Sequence, residues 1–351
     1  MKGLVMRNWK SQTLCLVLLG GLVSQVNSSG FADEVSIPSK FNLRLLKDPT
    51  AYQALKNPQC SYCNAQHEKG FVRDDDRVLA WLRSSHDGGA IPIRHFLAAT
   101  RVINDTYGIF FYDPDGGYVS SFERSRGYKH VYSFHGWRNG VMVVKGNDGS
   151  LVSALSGEIF AGPRKGQRLK RIPSLLTNWK HWIGLHPKSV AYRMYDGKKF
   201  VPVDLPTARS KGSLESTKNV DKRIDPMTNV LGVTVKNKSK AWPVGKLKGR
   251  HVFNDQVADK SVAVFWDGDS QSAVAFSSKL TDRQLTFKVD DDTNAKAPFR
   301  DVETGSRWTL AGRAVDGPLS GSELDWVNSL QSRWFAWAAE FPETSIQSAS
   351  N

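Results

Sequence analysis

The stretch NDGSLVSALSGEIFAGP, from Asn147 to Pro163, returns about 155 residues later as ETGSRWTLAGRAVDGP, from Glu303 to Pro318. Both start in a polar turn that reaches Gly-Ser, pass through a strand-like apolar stretch to a Gly, and close on Gly-Pro. The agreement extends on either side. NVLGVTVKNKSKAWPV answers DRVLAWLRSSHDGGAIPI, RHVFNDQV answers TRVINDTY, VAVFWDGDSQSAVAFSS answers GIFFYDPDGGYVSSFER, and SRWFAWAAEFPET answers LTNWKHWIGLHPKS. Pro163 to Trp179 and Pro318 to Trp334 both span 16 positions, and Pro163 to Pro187 and Pro318 to Pro342 both span 24. A period of this size is too long for a solenoid. The chain therefore holds two versions of one fold unit, and its length suits two domains that each bury a core.

Within the first unit, RVLAWL, GIFFYD, YVSSFE, GVMVVKG and SLVSALSGEIFAG read as strands, too closely spaced for βαβ crossovers. AIPIRHFLAATRVINDT holds a short helix candidate followed by a turn. In SLLTNWKHWIGLHP, Leu175, Leu176, Trp179, Trp182 and Ile183 follow the i, i+3, i+4, i+7 pattern, which predicts an amphipathic helix ended by Pro187. The expected fold class is α+β and mainly β: two tandem, similar β-rich units, each closed by a short C-terminal helix. The units are placed at residues 73–204 and 230–345. The polar stretch 205–229 reads as a linker or long surface loop, 33–72 as an irregular lead-in, and 346–351 as a disordered tail.

The N-terminus has the three parts of a secretory signal peptide. Lys2, Arg7 and Lys10 form a basic region, Leu14 to Val23 an apolar core, and Gly30 and Ala32 suit the −3 and −1 positions of a cleavage site. The apolar run is shorter than the roughly 20 residues a membrane helix needs, and no later segment could span a bilayer. Residues 1–32 are therefore expected to be removed, leaving an extracytoplasmic protein, periplasmic or secreted.

Removing those three positive charges lowers the net charge from +14 to +11. The basic residues cluster in ERSRGYKH (123–130), PRKGQRLKR (163–171) and VKNKSKAWPVGKLKGR (235–250). Inside a cell such clusters point to nucleic acid. Outside it the partner they fit is an anionic polysaccharide or the cell-envelope surface, and no nucleic acid is expected. A solvated basic surface with no specific partner is the plainer alternative.

Two pairs of polar residues recur. Asn104-Asp105 and Asn254-Asp255 each lie between an apolar stretch and a strand. Asn and Asp bond their own main chain, so a hairpin turn is the plain reading and a ligand carboxylate the sharper one. Asp113 and Asp267 each follow an aromatic residue and precede a second Asp by two positions. DPDGG and DGDSQS look like turns. As calcium loops they lack the Glu an EF-hand needs at its twelfth position, where Arg124 and Ser278 stand. Trp179, Trp182, Trp334 and Trp337 sit at i, i+3 on matching helices, a spacing that packs a core.

After signal removal Cys60 and Cys63 are the only cysteines. A lone pair outside the cytoplasm oxidises, so a local disulfide is expected. With His67 the same pair offers three of the four ligands zinc needs. A redox-active pair would want a strand-then-helix setting that is missing here. No cofactor is expected, and zinc is the one metal these residues could take. No nucleophile elbow, phosphate loop or HExxH motif is present.

NVLGVTV…KAWPV, VFND, VAVFWD, DVETGSRWTLAGRAVDGPLSG and WFAWAAEFPET together resemble the domain of unknown function 3179 family of extracytoplasmic bacterial and archaeal proteins. The resemblance runs from about Arg73 to Ser345 and is stronger in the second unit. It implies an extracytoplasmic protein and carries no activity. The family pattern has a His four residues before the first Asn-Asp and a YCPLCG-like stretch on the next strand. Here those places hold Thr100 and YDPDGG. The loss of these groups favours a non-catalytic binding or scaffold protein. A metal or redox protein using Cys60, Cys63 and His67, and a hydrolase using the repeated carboxylates, remain alternatives.

Overall fold

The computed structural model describes residues 43–45, 54–56, 60–62, 72–82, 88–93, 101–124, 129–192, 214, 216–290 and 296–348. All of them belong to one body, Val35–Asn351. The signal-like segment 1–32, Cys63, His67 and Thr100 lie outside the described residues. The described chain is mainly β, with two short helices, α1 (Trp179–Leu185) and α2 (Trp334–Glu340).

Each repeat builds the same three sheets. The first carries a helix at its end. In the first repeat it runs in the order β13 (Ser174–Asn178), β4 (Arg77–Leu82), β5 (Gly88–Pro92), β14 (Val190–Tyr192) and β3 (Cys60–Tyr62). In the second it runs β26 (Ser329–Arg333), β15 (Asn229–Val235), β16 (Lys238–Pro243) and β27 (Ser345–Ile346). The pairing is antiparallel except at one matched place: β14 lies parallel to β5, and β27 parallel to β16. The strand that follows each helix thus returns to the same edge in both repeats.

The second sheet is β6 (Val102–Asn104), β7 (Ile109–Asp113) and β8 (Tyr118–Phe122), joined at its edge by β2 (Leu55–Lys56). Its partner is β17 (Arg250–Val257), β18 (Lys260–Asp267) and β19 (Ser272–Ser277). The third is β9 (Tyr132–Arg138), β10 (Val141–Gly146), β11 (Leu151–Ser153) and β12 (Ile159–Ala161), with β1 (Leu43–Leu45) beside β9. The matching sheet is β22 (Phe287–Val289), β23 (Phe299–Asp301), β24 (Arg307–Trp308) and β25 (Ala314–Asp316). A small hairpin, β20 (Lys279–Leu280) with β21 (Arg283–Gln284), interrupts the second repeat.

The recurring Gly-Ser…Gly-Pro stretch is the closure of this third sheet. Ser150 Oγ accepts the Arg164 amide at 3.3 Å, and Ser306 Oγ accepts the Leu319 amide at 2.9 Å. Gly162 and Gly317 hold φ of +86° and +82°. A β-carbon on either would lie 2.6–2.7 Å from the Cα of that serine. Only Gly tolerates both the dihedral and the contact, so the same chemistry is written twice.

Two points of local structure differ from the sequence pattern. Leu175 and Leu176 belong to β13, and the helix starts only at Trp179. A short apolar run satisfies periods of 2 and 3.6 alike, and pairing with β4 decides the matter. Asn254-Asp255 lies inside β17 and not at a turn, whereas Asp105 does open one, its amide bonding Gly108 O at 2.9 Å.

The helix-bearing sheets pack one face on their own repeat. Leu79, Trp81 and Ile91 meet Phe110, Tyr112 and Val119, as Leu231, Val233 and Trp242 meet Val262, Val264 and Trp266. The helices lie on the opposite faces, through Trp179 and Trp182 in the first repeat and Trp334 and Trp337 in the second. All four indoles are buried. Beyond this point the repeats part. Helix α2 is sealed into the third sheet of the first repeat, sharing a core with Phe134, Trp137 and Met142. Among the described residues, helix α1 joins a small core with its own sheet. The outer side of α1 faces the second repeat across open space.

Candidate functional site

The two helices differ where they face the other repeat. Position by position, α1 has Lys180, His181 and Gly184 where α2 has Phe335, Ala336 and Ala339. Phe335 and Ala336 are buried in the shared core. Lys and His cannot be buried there without partners, and the matching side of α1 stays open as a cleft of about 580 Å³.

One wall of this cleft is α1, whose first turn is capped by Asn178 Oδ1 accepting the His181 amide at 2.8 Å. The other wall is the β18–β19 turn. Asp267 is 2% exposed, and its Oδ1 accepts the amides of Asp269 at 2.9 Å and Ser270 at 3.4 Å. Arg250 at the start of β17 lies with Nε 3.9 Å from Asp267 and Nη2 3.5 Å from Asp269. Lys180, Leu185, Lys296 and Ser270 complete the lining. His181 Nε2 and Ser270 Oγ are buried without a hydrogen-bond partner. Burial holds His181 below the usual histidine range, opposed by Asp267 and reinforced by Arg250, so its ring is neutral at neutral pH. A ligand here would meet cations, a neutral imidazole and one fixed carboxylate.

The equivalent place in the other half is filled. Asp113 is buried with Arg101, whose Nη1 lies 3.5 Å from it, and Arg101 stacks over Phe134 at 4.8 Å and Trp137 at 5.6 Å. Burial raises the Asp113 carboxyl to about 6, against the pull of Arg101 and the backbone amides. Arg333 at the start of α2 donates to Asp115 O at 2.7 Å, where Asn178 makes the matching contact to Asp269 O at 3.4 Å.

The Asn-Asp pairs lie elsewhere. Asn104 Nδ2 donates to Tyr132 O at 2.9 Å, and its Oδ1 accepts the Tyr132 amide at 2.8 Å. Asn254 makes the same two bonds with Phe287, both at 2.8 Å. Each Asn stitches the second sheet of its repeat to the third. Asp105 accepts the Tyr192 hydroxyl, and Asp255 pairs with Lys240 at 2.6 Å. Asp113 and Asp267 therefore occupy matched positions, one in a filled core and one in a cleft, and the Asn-Asp residues serve the joints between sheets.

Cys60 opens β3 and pairs in register with Tyr192. Among the described residues no group of three His, Cys, Asp or Glu side chains is placed to hold a metal ion. None of their helices is long and apolar enough to cross a membrane. Several members of the basic clusters have partners within the chain, Lys170 and Lys236 in exposed ion pairs. Arg164 is 2.6 Å from Asp148, Lys170 is 2.8 Å from Glu123, Lys236 is 2.7 Å from Asp259, and Arg171 lies over Phe122.

The partners in the cleft, His181 and Arg250 among them, were missed in the sequence pattern. The signal was present in the alignment of α1 with α2, where Lys-His replaces Phe-Ala.

Fold and site together define a class: a duplicated, mainly β protein with a helix on each repeat, one helix sealed and the other flanked by a cleft. The chain belongs to the family described as Protein of unknown function (DUF3179), whose model matches residues 54–344. Among curated proteins and among solved structures, nothing matches the chain.

Proposed function

We propose that this is a non-catalytic, extracytoplasmic binding protein that takes an anionic group of a cell-envelope polysaccharide into the cleft beside α1. One observation carries the reading. Of two matched spaces, one is filled by side chains and the other is open and edged by Lys180, Arg250 and Lys296 against Asp267 and Asp269. Lys180 and Arg250 present positive charge to this open space, and a partly enclosed site weakens screening by water. The signal-like N-terminus supports action outside the cytoplasm. The non-catalytic reading is supported by the use of Asp105, Asp113 and Asp255 in internal bonds.

The test is calorimetric titration of the protein with polygalacturonate at low and high salt, with Arg250→Gln and Lys180→Gln alongside. Affinity should fall steeply with salt, because exposed charges are screened, and each variant should weaken binding by about tenfold. Binding equally strong at both salt concentrations, or unchanged in both variants, would defeat the proposal.

A further inference from the structure

A second cavity, of about 310 Å³, lies on the adjoining side of α1, between β13 and the third sheet of the second repeat. Its apolar lining includes Leu175 and Phe276, and its aromatic lining Trp182 and Trp326. His186, Arg313, Glu323 and Asp325 supply the polar groups. It too has a counterpart. Around α2 the same positions carry Arg171 for Trp326 and Phe341 for His186, and the space shrinks to about 10 Å³. There Arg171 donates to Leu155 O and covers the Phe122 ring.

The hydrogen bonding differs in the same sense. In the closed version the indole of Trp337 donates to Thr344 Oγ1 at 3.1 Å. In the open version the indole N–H groups of Trp182 and Trp326 and His186 Nε2 are buried with no partner. Buried polar groups are ordinarily satisfied, and three residues of this lining carry one that is not. His186 is held down to about 4 by burial, Arg313 and His181, and so is neutral at neutral pH. The cavity thus offers aromatic surface from Trp182 and Trp326 and, at its rim, the exposed side chains of Asp325 and of Arg313 and Glu323, which lie 4.0 Å apart.

We infer that this cavity is a sugar-ring subsite, binding a pyranose unit of the polysaccharide. A sugar hydroxyl both donates and accepts, which matches the mixture of groups, and the carbon face of the ring suits indole surface. The inference rests on the binding reading above for the identity of the polymer, and the two sites are separable by charge.

The experiment uses neutral cellotetraose and chitotetraose, titrated into the protein at high salt and followed by the NMR signals of the tryptophan indole N–H groups. At least one sugar should shift the Trp182 and Trp326 signals saturably, and salt should leave the affinity unchanged. Trp326→Ala and the double variant Glu323→Gln/Asp325→Gln should each weaken binding at least about tenfold. The double variant changes only exposed side chains, so it stands if Trp326→Ala fails to fold. Arg250→Gln should leave neutral-sugar binding intact while weakening polygalacturonate. No shift with either sugar at millimolar concentration, or binding unaltered in the double variant, overturns the subsite whatever polygalacturonate does.

Discussion

A β-carbon built on Gly232 would lie 2.3 Å from three ring atoms of Trp337. The indole of α2 is pressed flat onto the main chain of β15, and only a hydrogen fits between them. In the first repeat the matching position is Ala80, paired with Leu175 as Gly232 is paired with Leu330. The tighter seat belongs to the helix that is sealed on both sides. Gly232→Ala should therefore destabilise by at least the 1–3 kcal/mol typical of overpacking, with Trp337 forced off its seat. Urea denaturation monitored by tryptophan fluorescence checks this; a variant as stable as the parent would mean that the helix is free to lift.

The two Asn stitches should differ in strength although their bonds are alike. Asn104 is fully buried, whereas Asn254 is exposed. Asn104→Ala strands the amide and carbonyl of Tyr132 without solvent, at roughly 2–4 kcal/mol for two unsatisfied groups. Asn254→Ala lets water replace the side chain at Phe287 and should cost about 1 kcal/mol. Equal losses in thermal or chemical denaturation would contradict this account of the joints.

Asp113 should give the stability curve a particular slope. Its folded-state pKa, about 6, is above the ordinary value of 3.8. The native state keeps this proton where the unfolded chain has released it, so stability falls as pH rises from about 4 to about 6 and is level beyond. The span is at most about 3 kcal/mol, from 1.36 kcal/mol per pKa unit. Asp113→Asn should remove this component, seen as a difference between parent and variant over that window. A parallel pair of curves would show that Asp113 is already ionised.

His186 should behave in the opposite sense. Its pKa, near 4, is below the ordinary 6.5. Its contribution is complete above about 6.5 and is lost as pH falls toward 4, because the unfolded chain takes up the proton first. The His186 ring signals in an NMR titration should stay in the neutral form at pH 5. A midpoint near 6.5 would place the ring in open water and empty the second cavity of its neutral acceptor.

Much of this architecture was written in the sequence. The doubled Gly-Ser…Gly-Pro stretch, the equal spacing from each Pro to its Trp, and the closely spaced strands specify two similar β-rich units with a helix on each. These features are local: a positive φ needs Gly, a turn needs its Ser, and a buried strand needs its apolar run, wherever the other repeat lies. Spacing alone did not separate β13 from α1, since the pairing of Leu175 and Leu176 with β4 settles that at a distance.

The site was decided by the tertiary structure. Lys180 and His181 belong to the first repeat, and Arg250, Asp267 and Ser270 to the second. No pattern within either repeat could join them, because the contact exists only once α1 faces the second repeat. The same fold buries Asp113 and leaves its equivalent, Asp267, at the edge of a cleft. The physical reason lies in the side chains opposite: Phe335 and Ala336 can fill an apolar core, and Lys180 and His181 require a polar space to remain.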